Sequence, residues 1–355
     1  MTSISTNNYE IHFNENCYIK LNSFLEKSNF SKLFVLVDTN THYKCLPYFL
    51  SQVETDLEIE IIEIEPGEHL KNIETCSGVW NALSELDGDR KALMINLGGG
   101  VVTDLGGFVA STFKRGIKFI NVPTSLLAMV DASVGGKTGV DLGTLKNQIG
   151  VINFSEMVLV DSRFLETLPE QEINSGMAEM LKHGLIQDEN YWHAMTKVQA
   201  KDYKDFDELI YDSIVIKNNI VTQDPNENGL RKTLNYGHTL GHAIESYFLT
   251  NSKRTTLLHG EAIAVGMILA TFISFKLFDF PEEKLENIKQ VLIRNYGKVE
   301  FNNEECQEII ELLKFDKKNS HGNINFVLLE DIAKTKIDCI VPNDLIFESF
   351  KYYSS

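Results

Sequence analysis

The chain has 355 residues, of which 43% are hydrophobic and 23% are charged. Because a typical domain has about 100 to 200 residues, we expect two domains and exclude a small disulfide-stabilised scaffold. The formal net charge of -17 disfavours a nucleic-acid partner, since such a partner requires Lys and Arg to neutralise its phosphates. An anionic substrate would need a local cluster of basic side chains.

Short apolar runs alternate with helical stretches between residues 32 and 160, which predicts parallel strands joined by helical crossovers. In such sheets ligands bind beyond the carboxyl ends of the strands. We therefore predict a nucleotide-binding α/β domain over residues 1–169. The predicted strands end at Asp38, Ile64, Leu97, Val122 and Asp161.

Helical patterns dominate after Pro169, and strand signals are nearly absent until residues 324–329. This change predicts a mainly α-helical second domain over residues 170–355. The predicted helices cover residues 177–186, 206–221, 239–247, 261–277 and 281–295.

The segment INLGGGVVTDLGGF places Gly98, Gly99 and Gly100 between an apolar strand and the start of a helix. Glycines allow a pyrophosphate to approach the backbone closely, and the first N–H groups of the helix bind anions. The pattern is GGGxxxD rather than GxGxxG, so it is not the usual Rossmann fingerprint. It predicts an anion site, with a tight structural turn as the alternative.

A second glycine-rich segment, VPTSLLAMVDASVGGKTGVD, contains Asp131 and Lys137, and Lys146 and Asn147 follow after a short loop. Glycines beside lysines are typical of phosphate binding, although the Walker A spacing is not met. The residues alone leave this segment open between a ligand site and a surface turn.

Histidines at metal-ligand spacing occur in LNYGHTLGHAIE, where His238 and His242 are four residues apart, and His259 follows in LLHGEA. The HExxH protease motif is excluded, because threonine follows the first histidine. In GMAEMLKHG, Glu179 is a candidate third ligand, and His183 is a rival on spacing alone. Further basic side chains that could bind an anion are Arg115, Lys217, Arg231, Lys317 and Lys318.

The five cysteines include no CxxC pair, which favours a reducing cytoplasm. The first residues show no signal-peptide pattern, and the longest apolar run, residues 262–275, is shorter than the roughly 18 residues that span a bilayer. We therefore expect a cytoplasmic protein without a membrane partner.

These motifs together resemble the 3-dehydroquinate synthase family, within the sugar phosphate cyclases. The matching segments run from Asp38 to Lys318 and are, in order, GGGVVTDLGGF, PTSLLAMVDASVGGKTGVD, FLETLP, GMAEMLKHG, LNYGHTLGHAIE, HGEAIAVGM and DKK. The resemblance implies an N-terminal NAD-binding domain, a helical metal-binding domain and an active site between them. It also implies NAD and one zinc or cobalt ion as cofactors, and a homodimer that converts 3-deoxy-D-arabino-heptulosonate 7-phosphate to 3-dehydroquinate and phosphate.

The resemblance also implies residue roles. The metal ligands would be Glu179, His238 and His259, which leaves His183 outside the ligand set. Proton transfer is implied for His242 and Glu227. Lys217 and Arg231 would bind the substrate carboxylate, whereas Asp131, Lys182 and Asn235 would hold hydroxyls and ring atoms. The phosphate would be bound by Lys137, Asn147, Lys317 and, from a partner subunit, Arg115.

The NAD contacts implied by the resemblance extend over most of the first domain. Ser125 replaces a more usual threonine but keeps the hydroxyl. The implied contacts are Asp38, Thr39, Asn40, Glu68, Lys71, Gly99, Gly100, Val101, Asp104, Thr124, Ser125, Lys137, Lys146, Phe164, Leu165, Glu166 and Thr167.

Three other functions are compatible with these motifs. Another sugar phosphate cyclase, producing 2-deoxy-scyllo-inosose or a valiolone, would share the fold, NAD and metal. A metal-dependent polyol dehydrogenase would release NADH stoichiometrically and would need fewer anion-binding side chains. A non-catalytic NAD- or metal-binding module would bind ligands without turnover. The complete VDASVGGKTG segment and the DKK motif favour the dehydroquinate reaction.

Overall fold

The computed structural model describes residues 1–143, 145–313 and 324–355. These residues form two compact units. Unit 1 contains Met1–Pro169 and Lys204–Asn218, and unit 2 contains Glu170–Tyr203 and Asn219–Ser355. The first change of unit falls at the domain boundary drawn from the sequence.

Unit 1 is built on a parallel sheet whose strand order is β1-β2-β9-β6-β5-β3-β4 in the described residues, with antiparallel pairing only between β1 and β2. Strands β7 and β8 form a separate antiparallel hairpin. The strands of this unit are β1 (Ile4–Ser5), β2 (Glu10–Phe13), β3 (Leu33–Asp38), β4 (Ile59–Ile64), β5 (Leu93–Gly98), β6 (Lys118–Pro123), β7 (Lys137–Leu142), β8 (Leu145–Ile152) and β9 (Met157–Val160).

Strand β3 is the topological switch point of this sheet, because β4 and β5, the next two strands in the chain, pair with its opposite edges. Helix α5 packs so closely that a Cβ on Gly106 would lie 2.1 Å from Oδ1 of Asn96. The sheet therefore requires glycine there. The helices are α1 (Glu15–Lys27), α2 (Thr39–Lys44), α3 (Leu46–Gln52), α4 (Ile73–Glu85) and α5 (Gly100–Thr112).

Unit 2 is mainly helical, with one hairpin of β10 (Asn325–Asp331) and β11 (Lys334–Ile340). Helix α10 is long and apolar enough to cross a bilayer, but 72% of its most apolar window is buried within the protein, as expected for a core helix. The helices from residue 170 onward are α6 (Glu170–Gln187), α7 (Glu189–Met195), α8 (Asp207–Gln223), α9 (His238–Thr250), α10 (His259–Phe278), α11 (Glu282–Tyr296), α12 (Asn303–Leu312) and α13 (Asn343–Ser354).

The segment Lys204–Asn218 differs from the two-segment division of the sequence, because it groups with unit 1 instead of the helical domain. Asn14 Nδ2 donates to Asp207 Oδ2 at 2.8 Å, and the rings of Phe13 and Tyr211 are 5.1 Å apart. These contacts join the first turns of α8 to the end of β2. The parallel α/β first domain and helical second domain predicted from the sequence are confirmed as the fold class.

Candidate active site

Unit 2 contains a buried cluster of three predicted metal ligands. Glu179 on α6 is fully buried, His238 is the first residue of α9, and His259 is the first residue of α10. Glu179 Oε1 lies 3.2 Å from His238 Nε2 and 3.6 Å from His259 Nε2. Three helices that are distant in sequence therefore place one oxygen and two nitrogens around a common point.

The spacing of these atoms fits a divalent metal. In a tetrahedral site with metal–nitrogen distances of about 2.0–2.1 Å, neighbouring ligand atoms are roughly 3.3 Å apart. Within the described part of the chain, Glu179 Oε1 is buried and has no hydrogen bond of regular geometry. A carboxylate with two imidazoles is also a donor set that zinc and cobalt accept and that leaves positions open for substrate.

Both histidine rings are oriented by a contact that their Nδ1 atom makes with a protein oxygen. His238 Nδ1 is 3.0 Å from the carbonyl oxygen of Tyr236, and His259 Nδ1 is 3.3 Å from Glu245 Oε2. These contacts direct each Nε2 toward Glu179, as outer hydrogen bonds do in metal sites. Sequence reasoning missed Glu245, although its position seven residues after His238, two turns along one face of α9, was a usable signal.

Two further histidines lie beside the three ligands. The His242 ring is 5.1 Å from that of His238 and 5.8 Å from that of His259. A ring nitrogen of the fully buried His183 lies within 4.8 Å of the Glu179 carboxylate. Both side chains therefore lie near the cluster. The predicted roles, proton transfer for His242 and no metal contact for His183, stay predictions.

The charges of the cluster compensate each other. Burial alone would raise the pKa of Glu179, but the ammonium of Lys182, with which it is ion-paired, and the imidazole of His238 hold it well below its ordinary value. Burial and Lys182 lower the pKa of His238. Burial also acts to lower the pKa of His259, but Glu245 and Glu179 outweigh it and raise that pKa to about 9.

Metal binding is consequently expected to depend on pH through His259. A metal binds neutral imidazole, so below a pKa of about 9 it must displace a proton. The apparent affinity should fall roughly tenfold per pH unit below that value, or about 100-fold from pH 8.5 to 6.5. Competition against a chromogenic chelator, corrected for the protonation of the chelator, measures this dependence.

Glu245→Gln provides the control for this titration. It removes the carboxylate charge that raises the pKa of His259. The pH below which the metal affinity begins to fall should therefore be lower than in the wild type. A wild-type affinity that stays constant between pH 6.5 and 9 would contradict the prediction.

The helices that carry the ligands touch through their backbones. A Cβ on Gly266 of α10 would lie 2.1 Å from the carbonyl oxygen of Gly237 and 2.7 Å from the amide nitrogen of Gly241. A Cβ on Gly260 would lie 2.2 Å from the carbonyl oxygen of Ser175 on α6. Each contact lies within about a turn of a predicted ligand, so glycine sets the spacing of the cluster.

A turn before α9 brings together other predicted substrate residues of unit 2. Asn235 Nδ2 donates to Glu227 Oε1 at 2.7 Å, and Glu227 has a left-handed φ of 59°. Arg231 is 2% exposed, and its guanidinium donates to the carbonyl of Pro225 at 2.8 Å. The predicted phosphate ligand Lys317 lies outside the described residues.

In unit 1, predicted NAD residues lie at the carboxyl ends of β3, β5 and β6. Asp38 accepts a hydrogen bond from Thr41 N at 2.8 Å and begins α2, while Thr39 donates to Glu63 at 2.7 Å. Asn40 is exposed. This edge surrounds the topological switch point, where open α/β sheets bind nucleotides.

The glycine turn after β5 fits a pyrophosphate. A Cβ on Gly99 or Gly100 would find its nearest protein atom at 3.3 or 3.5 Å, so packing does not demand glycine at either position. Val101 follows in the first turn of α5, and Thr124 N donates to the carbonyl of Gly98 at 2.9 Å. Ser125 Oγ is the atom nearest to a Gly99 Cβ. Room beside the first N–H groups of a helix, as at Gly100, is what close approach of a phosphate needs.

An ion-pair network connects several other predicted NAD contacts. Lys71 Nζ donates to Asp104 Oδ2 at 2.6 Å and to Asn147 Oδ1 at 2.7 Å, and Lys146 is 3.3 Å from Glu68. Burial opposes the charge of Lys71, but Asp104 and Glu68 raise its pKa above the ordinary value. Lys146 and Asn147 lie in β8.

Asp141 was missed by sequence reasoning. Its Oδ1 accepts the backbone N–H of Asn147 at 2.6 Å, and Asn147 has a left-handed φ of 52°. Asp141 therefore fixes the bend that directs Asn147 toward Lys71. No spacing rule links an acid to an amide six residues later across a hairpin.

The remaining predicted residues of unit 1 lie in four places. Lys217 Nζ is bonded to Asp131 Oδ1 at 2.5 Å. Lys137 is the exposed first residue of β7, and Arg115 is exposed with a φ of 71°. The turn Ser162–Thr167 follows β9 and carries the buried Phe164 and Leu165, together with Glu166 and Thr167.

Comparison with known proteins identifies the family. The 3-dehydroquinate synthase N-terminal family matches residues 61–175, and the 3-dehydroquinate synthase C-terminal family matches residues 176–319. A 3-dehydroquinate synthase of Parabacteroides distasonis is 41% identical over 336 residues, 94% of each chain. One from Campylobacter jejuni is 38% identical over 97% of this chain and 99% of that protein.

Solved structures share the fold. A 2-deoxy-scyllo-inosose synthase complexed with carbaglucose-6-phosphate, NAD+ and Co2+ has a TM-score of 0.82 at 24% identity, with 99% of both chains covered. A 2-epi-5-epi-valiolone synthase from Streptomyces hygroscopicus with NAD+ and Zn2+ bound has a TM-score of 0.80 at 21% identity and covers 100% of this chain and 99% of that one. The family models and the relatives from Parabacteroides and Campylobacter confirm the resemblance seen in the motifs: the chain belongs to the 3-dehydroquinate synthase family.

Proposed function

We propose that this chain catalyses the 3-dehydroquinate synthase reaction, which converts 3-deoxy-D-arabino-heptulosonate 7-phosphate to 3-dehydroquinate and inorganic phosphate. The observation that carries the proposal is the buried Glu179 oxygen facing Nε2 of His238 and of His259, in a chain of this family. When bound, NAD supplies a reversible hydride acceptor, and zinc or cobalt supplies electrostatic stabilisation of a substrate hydroxyl that loses its proton.

The chain's own residues would bind the substrate at two anionic ends. Lys217 and Arg231 are both at least 95% buried, so their positive charges are weakly screened and can bind a carboxylate firmly. Lys137, Asn147 and Lys317 would bind the phosphate. Asp131, Lys182 and Asn235 would accept or donate hydrogen bonds at the hydroxyls and ring oxygen.

Proton transfer would be divided between His242 and Glu227. Removal of a proton from the carbon next to the new ketone allows the phosphate to leave, and an imidazole beside the phosphate suits this step. Glu227 is held by Asn235 at 2.7 Å, which keeps its carboxylate oriented for a second transfer. Ring opening and the aldol step then depend chiefly on substrate conformation, which the bound ends restrict.

Homodimerisation and a cytoplasmic location belong to the same proposal. Arg115 is exposed at the end of a 3-10 turn, which would allow it to reach the phosphate bound by a second copy. All five cysteines are free and buried, as in proteins of a reducing compartment. Sedimentation equilibrium of the metal-replete protein tests the dimer.

Phosphate release with catalytic NAD tests the reaction. Metal-replete protein is given 3-deoxy-D-arabino-heptulosonate 7-phosphate with one NAD per subunit, while free phosphate and NADH absorbance are recorded together. We expect many phosphates per NAD and no accumulation of NADH, because the hydride returns to the product within each turnover.

The same assay separates the alternatives. Phosphate release only from other sugar phosphates would assign the chain to another cyclase reaction. NADH formed in proportion to an oxidised polyol would indicate a polyol dehydrogenase. Binding of NAD and metal without turnover of any of these substrates would reject an enzymatic role.

A further inference from the structure

A single carboxylate holds the loop that carries two of the proposed substrate residues. Asp224 follows the end of α8, and its Oδ1 accepts the backbone N–H of Asn228 at 3.0 Å. Its Oδ2 accepts the N–H of Gly229 at 2.7 Å and that of Arg231 at 3.0 Å. Three backbone donors therefore converge on one side chain.

These hydrogen bonds compensate an unfavourable backbone conformation. Glu227 has a φ of 59°, a left-handed conformation that is unfavourable for a residue with a side chain. The Glu227 N–H is 3.4 Å from the carbonyl oxygen of Asp224. Glu227 and the residues that follow it therefore bond to Asp224, and the carboxylate stabilises this bend of the loop.

The charge of Asp224 is maintained by the same contacts. Burial acts to raise its pKa, but the N–H groups of Gly229, Arg231 and Asn228 outweigh burial and lower it. The carboxylate therefore accepts all three bonds throughout the neutral pH range. An amide side chain cannot replace it, because its NH₂ group would face at least one backbone N–H.

The loop held by Asp224 carries Glu227 and Arg231, and the inference rests on the proposed function of these two residues. Asn235 Nδ2 contacts Glu227 Oε1 at 2.7 Å, and Arg231 bonds the carbonyl of Pro225 at 2.8 Å. We propose that Asp224 is a positioning residue that fixes residues 225–231, so that the Glu227 carboxylate and the Arg231 guanidinium are oriented before substrate binds. It does not itself touch the substrate.

Asp224→Asn is the test, and Asp338→Asn is the matched control. Asp338 is paired with Lys232 at 2.8 Å, so the control removes a nearby charge without touching the three amides. We expect Asp224→Asn to lower kcat by about 10- to 100-fold, since a displacement of about 1 Å can cost that much. The affinity for metal and for NAD should stay at the wild-type value.

Hydrogen exchange supplies a readout that does not depend on turnover. In Asp224→Asn the amides of Asn228, Gly229 and Arg231 should exchange faster, while those of α9 and α10 keep their protection. The kcat–pH profile of this variant should also differ from that of the wild type, because Glu227, a proposed proton-transfer residue, is no longer held in place. Asp224→Ala, which removes all three acceptors, should enlarge both effects.

Three results would overturn the inference. Unchanged exchange at the three amides would show that Asp224 does not hold the loop. Faster local exchange with wild-type kcat and KM would show that the loop position does not matter for turnover. Loss of protection across all of unit 2 would indicate a general structural role. If the wild-type protein releases no phosphate, the proposed function fails, but the exchange experiment still decides whether Asp224 anchors the loop.

Discussion

Replacement of Glu179 by alanine is expected to remove metal binding and turnover together and to destabilise the metal-free protein. The side chains of Glu179 and Lys182 are 0% and 1% exposed and form an ion pair. Removing one partner of a buried pair typically costs about 3–5 kcal/mol, because the other charge stays buried. Metal content after dialysis and denaturant unfolding of the metal-free protein measure the two effects.

The pH dependence of stability follows from the lowered pKa of Glu179. A carboxyl group with a folded-state pKa below its unfolded value contributes stability above the unfolded pKa, and that contribution is lost as the pH falls. The wild-type and Glu179→Ala proteins should therefore differ most in free energy of unfolding near neutral pH, and the difference should shrink in acid.

Glu172→Gln is the control for this experiment, since Glu172 lies two turns earlier on α6. It should keep the full metal content and turnover. Glu179→Gln, which keeps the size of the side chain, should lose metal like the alanine variant. A Glu179→Ala protein with one tightly bound metal per subunit would refute the ligand assignment.

Replacement of Lys71 by methionine is expected to weaken NAD binding at least tenfold and to destabilise unit 1. Methionine keeps the apolar stem but removes the ammonium that contacts Asp104 at 2.6 Å and Asn147 at 2.7 Å. The side chains of Lys71 and Asp104 are 5% and 18% exposed, so the remaining carboxylate would cost about 3 kcal/mol. Calorimetric NAD titration and denaturant unfolding measure these changes.

The direction in which the stability loss of Lys71→Met changes with pH distinguishes the loss of a charge from a packing defect. Burial already raises the pKa of Asp104 even with Lys71 present, and removal of Lys71 should raise it further. A carboxyl group with a raised pKa is tolerated when protonated, so the stability loss of Lys71→Met should grow as the pH rises from about 4 to 8.

A double variant separates the cost of the unpaired carboxylate from the loss of the NAD contact. Lys71→Met with Asp104→Asn removes both charges and should recover most of the stability but not the NAD affinity. Lys118→Met is the matched surface control, because Lys118 is 56% exposed in its pair with Glu156, and such pairs contribute little. Normal NAD affinity in Lys71→Met would show that the network serves the fold alone.

Most of the central sheet could be predicted, because its strands are short runs rich in apolar and β-branched residues that alternate with helical stretches. The predicted ends at Asp38, Ile64, Leu97, Val122 and Asp161 lie within one residue of the ends of β3, β4, β5, β6 and β9. Strands β1 and β2 and the hairpin β7–β8 were not predicted. Their short or mixed sequences have no clear alternation, and their pairing depends on residues far along the chain.

In the helical part of the chain, helices α6, α8, α9, α10 and α11 were predicted from the sequence, whereas α7, α12 and α13 and the grouping of α8 were not. Helix α8 has an amphipathic pattern that the sequence reveals, whereas its contacts with Phe13 and Asn14 join residues almost two hundred positions apart. Periodicity shows which face of a helix is buried, but it does not show against which element that face packs.

The residues of the candidate site likewise fall into those that could be proposed from the sequence and those that could not. Residues whose own chemistry binds a ligand, such as Glu179, His238 and His259, could be named as candidates from residue type, and the family resemblance implied them as the ligand set; the structure brings them together. Glu245 was missed despite its position on the face of α9 that carries His238, and Asp141 and Asp224 could not be proposed, because they act on other protein groups. Both aspartates bind backbone N–H groups, which every residue except proline carries, so no pattern of side chains marks the partner.

The glycine contacts between α9 and α10 have a consequence for how the metal site is assembled. With Gly237, Gly241 and Gly266 in backbone contact, the distance between the ligand-bearing helices is set by the main chain, and little rearrangement remains for an arriving ion to drive. The predicted metal site would therefore be preorganised, in contrast to small zinc domains whose fold requires the metal. Chelation should therefore return an intact, reloadable protein, whose metal exchanges at a rate set by ligand protonation and access instead of by refolding.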